Sequence, residues 1–363
     1  MYIQAFCPLA LLTVDGRTIW TNELPNSPDL TRWLSLQYVK ESSDVIIDGF
    51  KKLTKDISIV KKHDFLIQTI SEKYYKLSGI DSIFINSMYD GKSVTNITKY
   101  LLKLDTLSTK DCHACGEKQS DFNTVDITGN ISIIPECILD LGLCTLHTLL
   151  RSMEFCFNLA VKAKAGKVTL KSDEFIEVKK TFCDRFQTDL HLKLFQVRSG
   201  GGTSNDGNLC RSFFQNAEKT SEILELPVEI IEGFSELNHI ISSTNDINPD
   251  IETFQEISKF LFYMLTQIEP FNNTLLFPTV HRLLVHGENY IKHFQGIFPI
   301  AHGALSESAL EARNKYNHKF REHLAFKGSL SQNLRDLGVR HLLASDPYIS
   351  LLIRQDKKII KKK

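Results

Sequence analysis

Two short metal-ligand motifs that lie far apart in the chain constrain its fold most. Cys112 and Cys115 form a Cys-x-x-Cys pair, and His281 and His286 form a His-x-x-x-x-His pair much later in the chain. Two thiolates and two imidazoles complete a tetrahedral zinc site, and the short spacings let each pair hold one side of the ion. If both pairs bind one zinc, the ion ties two remote segments together.

Another interpretation stays open for each pair. The cysteines can also be an accidental pair in a loop. On a continuous α-helix, a spacing of five residues turns the second histidine about 140° away from the first. His281 and His286 can then bind the same metal ion only if one of them lies at or beyond a helix end. Gly287 is a typical residue for such an end.

Strand patterns dominate the first part of the chain. Residues 8–22 predict a hairpin around Asp15-Gly16, because Asp-Gly between apolar runs is a strong turn signal. Residues 30–40 predict a further strand, and the stretch from Ser43 to Ile70 predicts a helix. The apolar run from Ile80 to Tyr89 predicts a strand that ends at Asp90.

Helical patterns dominate the rest. From Cys112 to about Leu275, apolar residues recur at spacings of three and four, interrupted by a glycine-rich loop at 199–208. A further helix pair is predicted over 279–291 and 306–327. Strands followed by a long helical stretch and more helices favour a mixed α/β fold, in which a helical insertion interrupts a sheet-centred domain.

Composition limits the class of protein. Lysine and arginine number 43, as do aspartate and glutamate, so any DNA binding must rest on local basic patches rather than on net charge. The eight cysteines are scattered and lack the dense framework of small secreted domains, which indicates a reducing compartment. No uninterrupted apolar run of about 18 residues occurs, so we expect no membrane span.

Acidic residues near strand ends matter because a two-metal nuclease needs carboxylates to hold magnesium. Asp90 has such a position, although an Asp-Gly pair is more often simply a turn. Glu311 lies on a predicted helix, where it can also be a solvated partner of Lys315. Glu307, one turn earlier, is a rival to Glu311.

Other enzyme classes find no support in the motifs. The loop at 199–208 lacks the Gly-Lys-Ser/Thr ending of a phosphate-binding P-loop, so nucleotide hydrolysis is not indicated. No Gly-x-Ser-x-Gly elbow is present, and the scattered serines and histidines suggest no hydrolase triad.

Taken in order, these motifs resemble the DDE recombinase core shared by Transib-type transposases and V(D)J recombination-activating protein 1. In that family the second catalytic aspartate ends an RNase H strand, and a zinc-binding Cys-x-x-Cys follows about twenty residues later; Asp90 and the pair Cys112/Cys115 match these features. The family's histidine pair matches His281 and His286. Its catalytic glutamate lies in a stretch similar to SESALEARNK, which selects Glu311, although one extra residue separates the two glutamates here. Residues 22–42, 143–155 and 205–214 also resemble family segments.

The resemblance implies an RNase H-like DDE domain interrupted by a zinc-binding helical insertion. It implies structural Zn²⁺ on the cysteines and histidines, and catalytic Mg²⁺ or Mn²⁺ on Asp90 and Glu311. The resemblance divides the chain into four segments. Residues 1–104 form the RNase H-like part with Asp90, and residues 105–275 form the mainly helical insertion with the cysteine pair. Residues 276–330 carry the histidine pair and Glu311, and residues 331–363 form a C-terminal helix and basic tail. On the predicted helix that carries Glu311, four basic residues are expected to contact DNA phosphates: Arg313, Lys315, Lys319 and Arg321.

The resemblance also sets expectations about activity and partners. The family nicks DNA and transfers strands, acts as a dimer in the nucleus, and can work with a partner like V(D)J recombination-activating protein 2. Its first catalytic aspartate lies upstream of the strand pair with which this sequence begins, so no residue here matches it, and Asp15 lies after that position. We therefore expect an N-terminally incomplete domain, a truncated or decayed transposase with little nuclease activity of its own.

A non-catalytic function competes with this expectation. The zinc-stabilised module can serve as a DNA-binding or interaction protein derived from a transposase, with no cleavage step. The lysine-rich end of the chain, residues 357–363, is then a phosphate contact, a nuclear-import patch or simply a solvated tail.

Overall fold

Short antiparallel strand pairs occupy the N-terminal part of the chain in a computed structural model, and helices make up most of the rest. The structure describes residues 2–7, 10–12, 17–22, 27, 31–37, 39, 42–60, 65–68, 74–77, 91–124, 133–166, 172–196, 205–244, 248–268, 271, 276–297, 301–306, 308–324 and 328–346.

The described strands pair two by two. β1 pairs with β4, β2 with β3, and β5 with β6, all antiparallel. The six strands are β1 (Tyr2–Phe6), β2 (Ala10–Leu12), β3 (Thr18–Thr21), β4 (Arg32–Gln37), β5 (Phe65–Gln68) and β6 (Tyr74–Leu77).

Thirteen α-helices lie in the described part of the chain. They are α1 (Ser43–Val60), α2 (Gly91–Leu102), α3 (Glu136–Leu139), α4 (Thr145–Ala165), α5 (Asp173–Leu190), α6 (Gly207–Gln215), α7 (Ala217–Leu224), α8 (Val228–Ser242), α9 (Ile251–Thr266), α10 (Pro278–His281), α11 (Gly287–Ile297), α12 (Ser308–Lys319) and α13 (Leu330–Ser345). Short 3₁₀ segments span Gln119–Thr124 and His302–Leu305, and π-helical turns span Arg282–His286 and Phe320–Leu324.

Most local predictions agree with these elements. The hairpin over 8–22, the strand in 30–40 and the helical stretch after Cys112 are confirmed. The helix predicted over Ser43–Ile70 is too long: it ends at Val60, and Phe65–Gln68 is a strand. Short apolar runs do not distinguish a strand from a helix by periodicity alone. The strand predicted before Asp90 lies outside the described residues.

The expected α/β fold is confirmed only as a mixture of strands and helices in which helices predominate. The described strands form three separate pairs and show no sheet of the RNase H type. The assignment to that fold therefore stays a prediction.

The chain divides into two compact units. The first contains Met1–Ser87, Lys92–Asp105 and Ala309–Lys363, and the second contains Met88–Gly91 and Thr106–Ser308. The first boundary falls beside the expected one at residue 104. The segment before residue 309 belongs with the helical unit, whereas the sequence placed 276–330 in a segment of its own.

Aromatic side chains fill the core of the second unit. α4 packs against α5, α6 and α8, and Phe155 lies edge-on to both Phe234 and Phe271 at ring distances of 6.0 and 6.4 Å. The Cys144 thiol caps the first turn of α4 by accepting a hydrogen bond from the His147 backbone N–H. Large buried rings of this kind contribute much of the free energy of folding, because each removes a large apolar area from water.

Helix packing and helix ends also organise the first unit. α13 packs on β4, and Ser329 and Gln332 form a capping box at its start. The ring of Phe50 on α1 meets that of Tyr100 on α2 edge-on at 6.4 Å. These contacts join segments from the beginning and the end of the sequence in one unit.

No helix among the described residues is both long enough and apolar enough to cross a lipid bilayer.

The 3₁₀ segment His302–Leu305 carries a buried histidine that makes stability depend on pH. Burial lowers the pKa of His302 from 6.5 to about 4, although its ring Nε2 bonds the Leu143 carbonyl at 3.1 Å. The folded pKa lies below the unfolded one. The unfolded chain therefore binds the proton more tightly, and the neutral ring's contribution to stability is full above about pH 6.5 and is lost as pH falls toward 4.

We expect the free energy of unfolding of the wild type to fall between pH 7 and pH 4 by on the order of 2–3 kcal/mol more than that of His302→Gln. Glutamine keeps an N–H that can donate to the Leu143 carbonyl but does not titrate. Urea unfolding of both proteins across this range measures the difference. Equal pH slopes for the two would contradict the assignment.

Candidate metal centre

The cysteine half of the centre is a tight loop closed by backbone hydrogen bonds. Gly116 donates from its backbone N–H to the Cys112 carbonyl at 2.7 Å, and Cys112 donates to the Glu117 carbonyl at 2.8 Å. Gly116 has φ +78°, a left-handed conformation that a side chain disfavours. The loop folds back on itself, so the Cys112 and Cys115 thiols lie side by side, the first buried and the second half-buried.

The histidine half lies on a helix with one π-helical turn. Pro278 opens α10 at a position where its missing N–H costs nothing, and His281 ends that helix. The next five residues, Arg282–His286, form a π-helical turn that leads directly into α11. Because π-turns bond residues five apart, they bring the fifth residue back toward the face of the first.

The α-helix α10 does end at His281, but Gly287 is not the helix end that the sequence suggested. The helical path continues through His286 and Gly287, whose φ is −53°. The two imidazole rings lie 5.3 Å apart. Gly287 has a packing role instead: a Cβ there would lie 2.6 Å from Cζ of Phe254, a ring that is almost fully buried.

The two halves meet in one cluster. One ligand atom from each of Cys112, Cys115, His281 and His286 lies within 4.8 Å of all the others, and Cys115 Sγ lies 3.6 Å from His281 Nε2. Donors in a tetrahedral zinc site, at 2.0–2.3 Å from the ion, are separated by about 3.3–3.8 Å. The cluster therefore needs only a small contraction to hold zinc, and the described part of the chain contains no second group of this kind.

Buried nitrogens without protein partners fit the same conclusion. Both ring nitrogens of His286 and the Nδ1 of His281 are buried without a hydrogen-bond partner among the described residues. Leaving such polar groups unsatisfied costs free energy. A metal ion on one nitrogen of His286 would compensate part of that cost, whereas His281 faces the cluster with its Nε2. The set of two thiols and two imidazoles is also the one that zinc favours in structural sites.

Neighbouring side chains hold the two halves together. The Phe122 ring stacks on His281 with centroids 4.0 Å apart. Gln119 donates to the Leu276 carbonyl at 2.9 Å, while the side chain of Asn123 donates to the Phe271 carbonyl and accepts from the Leu276 N–H. The 3₁₀ segment that follows the cysteine loop is thus bonded to the chain that leads into the histidine helix.

Electrostatics prepare the thiols to bind a cation. Burial by itself would raise the pKa of Cys112, but the hydrogen bond with Cys115, the charge of Arg282 and nearby backbone N–H groups lower it below its ordinary value. The hydrogen bond with Cys112 and, to a smaller extent, burial raise the pKa of Cys115. Burial lowers the pKa of His281, which keeps its ring neutral. Zinc displaces the protons of both thiols, so its binding weakens as pH falls.

The other predicted residues fall outside this centre. Asp90 lies outside the described residues, and Glu311 lies on α12, as expected, with its side chain outside the described part. The Lys315 side chain is likewise not described, whereas Lys319 and Arg321 are exposed. Arg313 is fully buried and donates to the His341 carbonyl at 2.5 Å, a position that argues against its expected role as a DNA contact.

Sequence reasoning missed several residues around the centre. His113, between the cysteines, and Arg282, between the histidines, are both buried, and Phe122 and Asn123 lie on the 3₁₀ segment that follows the cysteine loop. Adjacency to ligands was the only signal available for His113 and Arg282. No periodic or spacing pattern marks Phe122 or Asn123.

Comparison with models of protein families, and with curated proteins, finds no match to this chain. The assignment to a family therefore rests on the resemblance of motifs alone.

We expect the purified chain to hold about one zinc ion, and Cys115→Ser or His286→Ala to weaken zinc binding by more than about 100-fold, since loss of a residue that only supports a ligand already costs 10–100-fold. Metal analysis and chelator competition measure this effect. Cys137→Ser changes an exposed thiol outside the cluster and is the matched control. Full zinc content in Cys115→Ser would contradict the assignment.

The close approach at Gly287 gives a second prediction. Gly287→Ala should lower the free energy of unfolding by about 1–3 kcal/mol, because the new methyl group overlaps the buried Phe254 ring. Gly296→Ala, on the same helix with nothing within 4 Å, should be neutral or stabilise by up to about 1 kcal/mol. Urea unfolding compares the two, and an equal effect of both would show that the close approach is wrong.

Proposed function

We propose that this chain is the zinc-closed core of a DNA transposase or recombinase of the DDE type, similar to Transib-type transposases and V(D)J recombination-activating protein 1. One observation carries the proposal: the cysteine pair and the histidine pair, whose inner members are 166 residues apart, converge on one cluster. The resemblance implied that convergence, and neither pair predicts it locally.

Further features support the same proposal. Glu311 lies on a helix, as the family's catalytic glutamate does, and the exposed Lys319 and Arg321 follow on the same stretch of chain. The helical unit between the metal-binding pairs corresponds to the expected insertion. The proposal includes an RNase H-like arrangement of the N-terminal strands, a homodimer in the nucleus and a partner like V(D)J recombination-activating protein 2.

The chemistry of the proposal belongs to carboxylates rather than to the zinc. Asp90 and Glu311 would provide oxygen ligands for Mg²⁺ or Mn²⁺, hard cations that prefer such ligands. When bound, such a metal supplies Lewis-acid activation of water and of the scissile phosphate. Lys319 and Arg321 would bind DNA phosphates through charge.

A second candidate is a non-catalytic DNA-binding or interaction protein built on the same zinc-stabilised unit. The observation that favours it is the closed set of four protein donors in the metal cluster. A site in which protein side chains provide all four ligands leaves zinc no open position for water or substrate, which is typical of structural zinc. The zinc centre by itself therefore supports a scaffold as well as an enzyme.

DNA binding and cleavage by the zinc-loaded full chain separate these candidates. Nicked duplex and hairpin-forming DNA are incubated with Mg²⁺ or Mn²⁺. If the chain is a nuclease, Asp90→Ala and Glu311→Gln should abolish cleavage while leaving zinc content unchanged. Glu307→Gln is the matched control, because Glu307 is the nearest acidic residue before Glu311 in the sequence.

The outcomes point in different directions. Binding that weakens with salt, by about 0.9 logarithmic units per phosphate contacted for each tenfold rise in salt, supports DNA as the partner. DNA binding without metal-dependent cleavage favours the scaffold. Absence of DNA binding even at low salt contradicts a nuclease and a DNA-binding scaffold, and favours a decayed remnant or an interaction protein that does not bind DNA.

A further inference from the structure

His113 lies between the two cysteine ligands in sequence but points to a different partner. Its ring is 4% exposed, and its Nε2 lies 3.0 Å from an NH1 nitrogen of Arg282 and 3.5 Å from the hydroxyl of Tyr290. A guanidinium group can only donate hydrogen bonds. His113 Nε2 is therefore the acceptor, and the neutral ring carries its proton on Nδ1.

Arg282 is held at several points. Its side chain is buried, its Nε donates to the Pro278 carbonyl at 3.2 Å, and its NH2 donates to the Thr279 hydroxyl at 3.2 Å. The rigid planar fork thus binds the first turn of α10 with two nitrogens and the cysteine loop with the third. None of these contacts uses a metal-ligand atom.

His113, Arg282 and Tyr290 form what we call the buried latch. It joins the loop with the cysteines to the helix with the histidines independently of any metal. The bonds from Gln119 and Asn123 to the chain at Phe271 and Leu276 act in the same direction. Two segments far apart in sequence are therefore tied together by side-chain hydrogen bonds, some to other side chains and some to the backbone, that do not use the four metal-ligand residues.

We propose that the buried latch assembles the metal centre before the metal arrives, so that zinc binds a preformed site. Bringing remote segments together costs chain entropy, and an ion that had to bear this cost alone would bind more weakly. With the latch closed, only the four ligand atoms must adjust. Arg282 and His113 are thus positioning residues for zinc. The inference rests on the zinc centre within the proposed function and holds whether or not the chain cleaves DNA.

Zinc affinity tests the latch directly, measured on the full chain by competition with a chromophoric zinc chelator. Arg282→Met and His113→Leu remove the hydrogen bond while keeping bulk, and we expect each to weaken zinc binding by about tenfold or more. His113→Gln retains an acceptor near the position of Nε2 and should bind zinc almost as the wild type does. Lys292→Met, at an exposed position on α11, is the control for general effects of the helix.

Hydrogen exchange distinguishes preassembly from simple loss of stability. In zinc-free wild type, we expect amides in residues 112–124 and 278–297 to stay protected. In zinc-free Arg282→Met this protection should disappear, and zinc should restore it.

Two results would overturn the latch: free exchange of both segments in zinc-free wild type, or unchanged zinc affinity and exchange in Arg282→Met and His113→Leu. A chain that binds zinc in this way but lacks DNA affinity would refute the proposed function and leave the latch intact.

Discussion

The approach of the cysteine loop to the histidine helix is the contact on which the larger unit depends. The helices α3 to α9 lie between these two segments in the sequence, so the contact closes this stretch of the chain into a loop. Closing a loop of this length costs entropy that grows only slowly with length. A stacked Phe122 ring and several hydrogen bonds act together against that cost, and an ion on the four candidate ligands would add to them.

The π-helical turn makes the contact possible. An α-helix would turn His286 about 140° away from His281. Widening one turn brings both rings together and lets the helix continue into α11 without a break. The same turn begins with Arg282, so one local distortion supplies two ligands and the guanidinium that reaches His113. Rare π-turns commonly occur where function requires such a placement.

The zinc centre and the proposed DNA chemistry have separate physical tasks. The cluster consists of sulfur and nitrogen donors on three buried residues and the half-buried Cys115, a donor set that suits a structural ion. DNA cleavage would require oxygen ligands and access to a phosphate, for which Asp90 and Glu311 are the candidates from sequence. A scaffold protein could keep the four-residue metal cluster and lose the carboxylates needed for DNA cleavage, so the family resemblance and the activity are separate proposals.

The sequence alone determined the local features: the strand pair of the hairpin over 8–22, the start of α1 at Ser43, the helical stretch after Cys112 and the four candidate metal ligands. These follow from turn residues, apolar periodicity and ligand spacing, which act over a few positions. Tertiary structure alone decided that Arg313 is buried, that Gly287 faces Phe254 and that His113 accepts from Arg282. The end of α1 could not be predicted from the sequence, since apolar periodicity does not separate its last residues from the strand that follows. Such features depend on which remote surfaces meet, and no short-range pattern encodes that meeting.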